Sequence, residues 1–275
     1  MIFISTSMYI EASPFIKKFN LKKDLECHKF QVFKNEQEEI VLLITGIGKV
    51  MSAVAITYLF SKYEPKSTDI FINIGICGAK NKDMLIGDVF LCNKIIDYDT
   101  KKAFYPDMIL KHSFKEGAVE TVPTVINNKN LEIQGQLIDM ESSGTYEAAL
   151  VFLKSHQIYF IKIVSDYLDG EIDINKVSNL IENKSLEIID WINKIKKAFS
   201  NSGDILENEE KIIAKNIIKK LRLTSTMANR LNQLLKYYKL EKGKFNENIR
   251  IYEKIECKSK KEGMDYFEEL KSKII

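Results

Sequence analysis

The chain has 275 residues, 45% of them apolar, which is enough to fill a substantial core in one large domain or two unequal ones. Its 41 basic side chains against 38 acidic ones, nearly all of the basic ones lysine, give a near-balance that does not by itself point to nucleic acid. Four cysteines (Cys27, Cys77, Cys92, Cys257) form no CxxC pair or zinc-like spacing, and the N-terminus shows neither a secretory signal nor a run approaching the roughly 18 apolar residues of a membrane span. The expectation is a soluble, cytoplasmic protein with reduced core thiols and no metal.

Ile2 to Ser5 is a short β-favouring run, followed by helical spacing at Phe15, Ile16 and Phe19, with Glu11 at the transition. Lys29–Lys34 and Glu39–Thr45 read as a hairpin whose second arm, Ile40 to Ile44, is apolar enough to be covered on both faces. Thr45-Gly-Ile-Gly-Lys-Val50 leads into a helix over Met51–Tyr63 that Pro65 closes. A second buried strand, Asp69 to Ile74, runs into Gly75-Ile-Cys-Gly-Ala79, so two strands in succession are expected to end in paired glycines. Such glycines serve either a ligand's approach to the backbone or a tight turn with no ligand. Neither pair is a Walker P-loop or a complete dinucleotide fingerprint.

Gly87–Ile96 is a further strand, and 101–136 is the least readable stretch, with one β-like piece at Ala118–Ile126. Leu137-Ile-Asp-Met-Glu-Ser-Ser-Gly144 takes a short strand into a helix reaching about Ser155, and delivers two acids at the junction. Asp139 is expected to cap that helix. Ile158–Val164 is another buried strand, leading to Ser165-Asp166. An amphipathic helix over Asn175–Phe199 presents Leu180, Leu186, Ile189 and Ile192 on its apolar face. Strands alternating with helices over about 200 residues indicate a mainly parallel sheet covered on both sides.

The polar break Ser200-Asn-Ser-Gly-Asp204 separates a domain over 1–199 from a helical extension over 205–275. Up to residue 200 there are 24 basic and 26 acidic residues, and beyond it 17 and 12, so the basic character belongs to the tail. In the tail Ile213, Ile217 and Leu221 share one helical face, Thr224 or Ser225 can cap a second helix, and Met227, Leu231, Leu234 and Tyr238 share the next. This pair reads in two ways. It is a helix-turn-helix with Arg222, Arg230 and lysines on nucleic-acid phosphates, or, as the favoured reading, an appendage that packs on the first domain or makes a dimer.

Glu11, Glu141 and Asp166 each follow a strand, which in a parallel sheet brings them to one edge beside the glycine turns. Cleavage of a glycosidic bond through an oxocarbenium-like transition state wants that arrangement: one acid protonates the leaving group, another activates water, and negative charge stabilises the cation. Six pieces carry a family resemblance in the family's order: Ser7-Met-Tyr-Ile-Glu-Ala-Ser-Pro14, Thr45-Gly-Ile-Gly-Lys49, Ile72-Asn-Ile-Gly-Ile-Cys-Gly-Ala79, Ile86-Gly-Asp-Val89, Ile138-Asp-Met-Glu-Ser142 and Ile163-Val-Ser-Asp166. Residues 1 to about 198 resemble the nucleoside phosphorylase superfamily, in particular its 5′-methylthioadenosine/S-adenosylhomocysteine nucleosidase branch.

The resemblance implies a three-layer α/β/α fold, often dimeric, acting on a small-molecule nucleoside with no cofactor or metal. It implies Asp166 as the general acid at purine N7, oriented by Ser165, and Glu11 as the group that activates water. Glu141 would accept hydrogen bonds from the ribose hydroxyls and Met140 would pack on the sugar, with Gly46, Ile47, Gly75, Ile76 and Val125 completing the substrate site. The implied activity is hydrolysis of the N-glycosidic bond of a purine nucleoside. The alternatives are phosphorolysis and a non-catalytic nucleoside-binding module with a docking tail. No arginine precedes Arg222, and arginine's planar fork suits phosphate better than a lysine's point charge. Water therefore suits this domain better, although Lys49 or Lys162 could hold an anion. Three departures stand out: Ile76 replaces a small polar residue, Lys162 replaces an arginine, and the segment between Asp99 and Asp139 is short. Val125 stands in Val122-Pro-Thr-Val-Ile126 where the family stacks an aromatic ring on the base, a stack worth on the order of 1 to 3 kcal/mol.

Overall fold

Ile2-Phe-Ile-Ser-Thr6 forms a strand, β1, whose five residues are all buried. Side chains alternate across a strand, so Ile2 and Ile4 enter one hydrophobic core and Phe3 another. A strand covered on both faces requires helices on both faces. That is the arrangement of the first unit in the computed structural model, which describes the chain except for residues 38, 127–131, 169–173, 202–205, 246 and 275. By its internal contacts the chain divides into two compact units, Met1–Phe199 and Ser200–Ile275.

After β1 come α1 (Tyr9–Lys18), β2 (Lys22–Lys23), β3 (Gln31–Asn35), β4 (Ile40–Ile44) and α2 (Lys49–Tyr63). The chain continues through β5 (Ile70–Ala79), β6 (Val89–Asp97), β7 (Ala103–Phe104), β8 (Lys115–Thr121), β9 (Leu137–Asp139), α3 (Ser142–Leu150), β10 (Ile158–Asp166) and α4 (Ile174–Asn201). One core joins Ile4, Ile72 and Tyr159 of the sheet to Phe15 of α1 and Ile181 and Trp191 of α4. The other joins Phe3, Phe71 and Phe160 to Phe60 of α2 and Tyr146 of α3. In it Phe60 meets Phe3 and Phe71 edge-on at 5.2 and 5.5 Å, a favoured aromatic geometry. The domain is thus a three-layer α/β/α structure.

The strand order is β10-β6-β8-β9-β5-β1-β4-β3-β2, and β10 also pairs with β5, so β5, β10, β6, β8 and β9 close into a ring. The sheet is mixed rather than mainly parallel: β1 runs parallel to β4 and β5, and β10 parallel to β5, but β9 is antiparallel to β5 and β6 antiparallel to β10. Closing the ring in these few strands demands reversals that the alternation of strands and helices does not announce.

The glycines of β5 do not end the strand. It continues through Gly75-Ile-Cys-Gly78 because β10 pairs with it as far as Gly78. On its other side β1 accompanies β5 only from Ile70 to Asn73, and β9 takes over at Gly78. Between those points the backbone of β5 faces a gap, and the candidate site occupies it. Two further expectations shift. The helix after Leu137 stops at Leu150, and the buried face of α4 is Val177, Ile181, Ile188, Trp191, Ile192 and Ile195, leaving Leu186 exposed.

Of the break expected at 200–204, residues 202–204 lie outside those described. The second unit contains α5 (Asn208–Lys220), α6 (Ser225–Lys242), α7 (Glu247–Arg250) and α8 (Lys260–Ile274). Its own core includes Ile213, Ile217, Leu231, Leu235, Phe267 and Leu270. All four cysteines are buried and unpaired. Among the described residues no helix is long and apolar enough to cross a membrane.

Candidate active site

The gap beside β5 opens into a cleft of ≈ 220 Å³ whose wall includes Glu11, Glu141 and Asp166. Each acid arrives differently. Glu11 lies in the first turn of α1, fully buried, and its carboxylate folds back over the turn. Its Oε2 accepts from the backbone N–H of Ser7 (2.8 Å) and Met8 (2.9 Å) and from Ser7 Oγ (2.7 Å). Oε1 accepts from the Ile76 N–H at 3.0 Å, which is the donor that the divergence of β1 from β9 leaves without a strand partner. A Cβ at residue 75 would stand 3.2 Å from Oε1, so Gly75 makes this approach possible. Glu11 is therefore a helix cap and a cleft wall at once.

Glu141 sits where β9 hands over to α3. Its Oε1 accepts from the Gly48 N–H at 2.8 Å, and its backbone carbonyl accepts from Ser52 Oγ at 3.3 Å. Gly48, with φ at 98°, is the residue before α2, so this bond ties the starts of two helices together. Their approach is tight: a Cβ on Gly144 would fall 2.1 Å from the Lys49 carbonyl oxygen. Burial, reinforced by the Asp139 carboxylate, pushes the Glu141 carboxyl up to about 7, against the pull of Lys162 and the Gly48 N–H.

Asp166 lies at the end of β10, past an irregularity between Val164 and Asp166. Its Oδ2 accepts from Ser165 Oγ at 2.6 Å and its Oδ1 from the Leu168 N–H at 2.9 Å. Gly78 provides the room, since a Cβ there would meet Leu168 Cδ2 at 2.3 Å and Asp166 Oδ1 at 3.0 Å.

Met140, Ser165, Ile47, Ile76 and Val125 also line the cleft, whereas Gly46 and Gly75 are not on its wall. Gly46 has φ at 84° and an N–H bonded to the Ser7 carbonyl at 3.1 Å. Asp139 accepts from the Ser142 N–H at the start of α3 (2.9 Å) and from Thr121 Oγ1 (2.8 Å), which is capping geometry.

Residues given no role from the sequence also face the cleft: Ser7, Met8 and Leu168, and the apolar group Val122, Ile126 and Ile138. Lys162, considered from the sequence only as a possible anion holder, is the more consequential residue. It is fully buried, donates to Asn73 Oδ1 at 2.8 Å and is paired with Asp139 Oδ2 at 2.9 Å. Burial disfavours its charge, but the Asp139 and Glu141 carboxylates outweigh that and hold its pKa above the usual lysine value. A lysine inside Ile158-Tyr-Phe-Ile-Lys-Ile-Val164 was itself the signal, because a charge in a buried strand must have a partner.

Lys49 is likewise engaged, bonded to Asp97 at 2.9 Å and to Asp99. Neither lysine proposed as an anion holder is on the cleft wall. Among the described residues no group of three or more His, Cys, Asp or Glu side chains is placed to hold a metal ion.

The chain resembles known proteins in both sequence and fold. The sequence profile of the phosphorylase superfamily matches residues 4–123. Over 178 residues the chain is 28% identical to 5′-methylthioadenosine/S-adenosylhomocysteine nucleosidase of Staphylococcus haemolyticus, covering 54% of this chain and 77% of that one. The fold is similar to that of the Campylobacter jejuni nucleosidase of the same name, with a TM-score of 0.58 at 19% identity over 70% of this chain and 98% of that one. It is equally similar to a futalosine hydrolase mutant of Helicobacter pylori, with a TM-score of 0.57 at 16% identity over 72% and 98% of the two chains.

Proposed function

We propose that the chain is an enzyme of the nucleosidase kind within the phosphorylase superfamily, whose profile matches residues 4–123, and that it hydrolyses the N-glycosidic bond of a purine nucleoside of the methylthioadenosine type. The observation that carries this reading is that Glu11, Glu141 and Asp166 wall one cleft, each held by donors from its own surroundings.

In this reading Asp166, fixed by the Ser165 hydroxyl and the Leu168 N–H, gives its proton to purine N7. The C1′–N9 bond breaks, with its electron pair leaving on the base. Glu11 takes a proton from the water that attacks C1′, and the sugar hydroxyls donate to Glu141 while Met140 packs beneath the ring. Proton transfer in such a step is worth about 10²–10⁴-fold. Val125, Val122 and Ile126 give an apolar seat to the base without an aromatic stack.

Water is favoured over phosphate because Lys49 and Lys162 are both committed to carboxylates. Incubation with methylthioadenosine, S-adenosylhomocysteine, adenosine and inosine should release free base without added phosphate, and Asp166→Asn should slow release by about 10²-fold or more. No release from any of the four, or an Asp166→Asn variant as fast as the parent, overturns the proposal. Dependence of turnover on phosphate would replace it with phosphorolysis.

We also propose a homodimer. Val50, Met51 and Val54 form an exposed apolar stripe on α2 that continues into Ile47 on the cleft wall, and an apolar patch rimmed by polar residues is a docking surface. A monomeric mass by light scattering would remove this assignment.

A further inference from the structure

The second unit carries a surface that hydrolysis in the first does not use. Helix α5 ends at Lys220, and α6 begins at Ser225 after a turn of four residues, Leu221–Thr224, in which Arg222 adopts a left-handed φ of 52°. Thr224 caps α6 by accepting from the Met227 N–H. Ile217 and Leu221 on one side and Leu231 and Leu235 on the other bury the inner faces of the pair. The outer face of α6 is then set by helical spacing: Thr226, Asn229, Arg230 and Gln233 are all exposed.

Those side-chain types have a specific chemistry. Asn and Gln amides match the paired donor and acceptor of adenine in the major groove, and an Arg fork matches the two acceptors of guanine. An ordinary solvated helix of this chain would carry lysine and glutamate there, as the rest of the tail does.

A second observation is independent of that face. The Cys257 N–H bonds to the Lys220 carbonyl at 3.0 Å, and α8 packs against the turn so closely that a Cβ on Gly263 would fall 1.8 Å from the Leu221 carbonyl oxygen. Lys258, Lys260 and Lys261 lie on the segment that this packing holds against Lys220 and Leu221, whose chain neighbours are Lys219 and Arg222, and all five are exposed. The acids nearest in sequence are Glu256 and Glu262, and Glu262 is occupied by the Lys258 N–H at 2.8 Å. The cluster is net positive.

We infer that the second unit binds duplex DNA, with α6 in the major groove reading bases through Asn229, Arg230 and Gln233 and the cluster around Arg222 gripping phosphates. A helix-turn-helix docks in this way, its second helix in the groove and its flanks on the backbone.

The test uses the full chain and a fluorescently labelled mixed-sequence duplex, with anisotropy measured as salt is raised. About five phosphate contacts give a slope of log affinity on log salt near −4.5, a roughly 500-fold loss between about 50 and 200 mM salt. The double variant Arg222→Glu, Lys261→Glu should bind more weakly and lose only roughly 40-fold over the same range, because each neutralised phosphate contributes about 0.9 to the slope. Its circular dichroism and its rate of base release should match the parent's. A duplex selected by the parent from a randomised pool should bind the triple variant Asn229→Ala, Arg230→Ala, Gln233→Ala no better than mixed sequence, a loss on the order of tenfold or more. Absence of binding at low salt, salt-insensitive binding, an unchanged double variant, or tighter binding to single-stranded RNA than to duplex overturns the inference.

Discussion

Glu141 is a buried acid whose carboxyl stands near 7, where an exposed glutamate ionises near 4.5. The folded protein therefore holds a proton there that the unfolded chain has released. Stability linked to this group is fully present below pH 4.5 and is lost as pH rises towards 7. The size follows from the two values: relative to the protonated state the folded form is weakened by about 1 kcal/mol at pH 5 and by about 3 kcal/mol at pH 8. Glu141→Gln removes the titration and keeps an amide oxygen to accept from the Gly48 N–H. The chain has a single tryptophan, Trp191, buried in the first unit, so its fluorescence follows the unfolding of that unit in urea. Parent and variant should be close at pH 5, with the variant gaining about 2 to 3 kcal/mol over the parent by pH 8. Curves that stay parallel across this range would refute the claim that burial and Asp139 strain this carboxylate.

Three further outcomes follow from the same geometry. Lys162→Met leaves Asp139 buried without its cation and should destabilise the first unit by about 3 to 5 kcal/mol in the same urea measurement. Gly144→Ala forces a methyl against the Lys49 carbonyl, and should cost about 1 to 3 kcal/mol and raise KM as Glu141 is drawn from the sugar it is proposed to hold; wild-type kinetics would show that α2 and α3 separate freely. Val125→Phe supplies a ring to the base, and a gain of about 1 kcal/mol would lower KM roughly fivefold with little change in kcat; an unchanged KM would show that Val125 does not face the base.

The three acids were legible because each follows a strand, and the end of a strand is visible as an apolar run meeting polar residues. What the glycines do was not. Gly75 and Gly78 left a turn and a ligand's approach both open, since each asks for the same residue, and only the partners of β5 separate the two. Those partners, β9 and β10, lie more than 50 residues away along the chain. Separation along the chain also hides the pairing of Lys162 with Asp139: the sequence shows that Lys162 needs a partner but not which one. Leu186 fell on the wrong side of α4 because several apolar stripes fit a helix that long, and packing against Tyr159 and Phe114, in edge-on contact with Trp191, selects one.

Water and phosphate make opposite demands on the cations of such a cleft. Phosphate needs a cation free to meet it, whereas a neutral nucleophile needs the acids alone to be well placed. Lys162 reaches Asp139, Asp139 accepts from the first N–H of α3, and Glu141 stands immediately before that helix. Lys49 reaches Asp97, which also accepts from Ser143 in the same helix. Burial alone would raise the Asp97 carboxyl, but Lys49, the Thr100 N–H and Ser143 hold it well below the usual carboxylate range, so the pair stays ionised and closed. Both lysines thus act as struts for α3 and, through it, for Glu141. An incoming phosphate would have to break a strut to gain a cation and would loosen Glu141, the acid proposed to hold the sugar. This coupling makes hydrolysis the reaction the cleft performs at least structural cost.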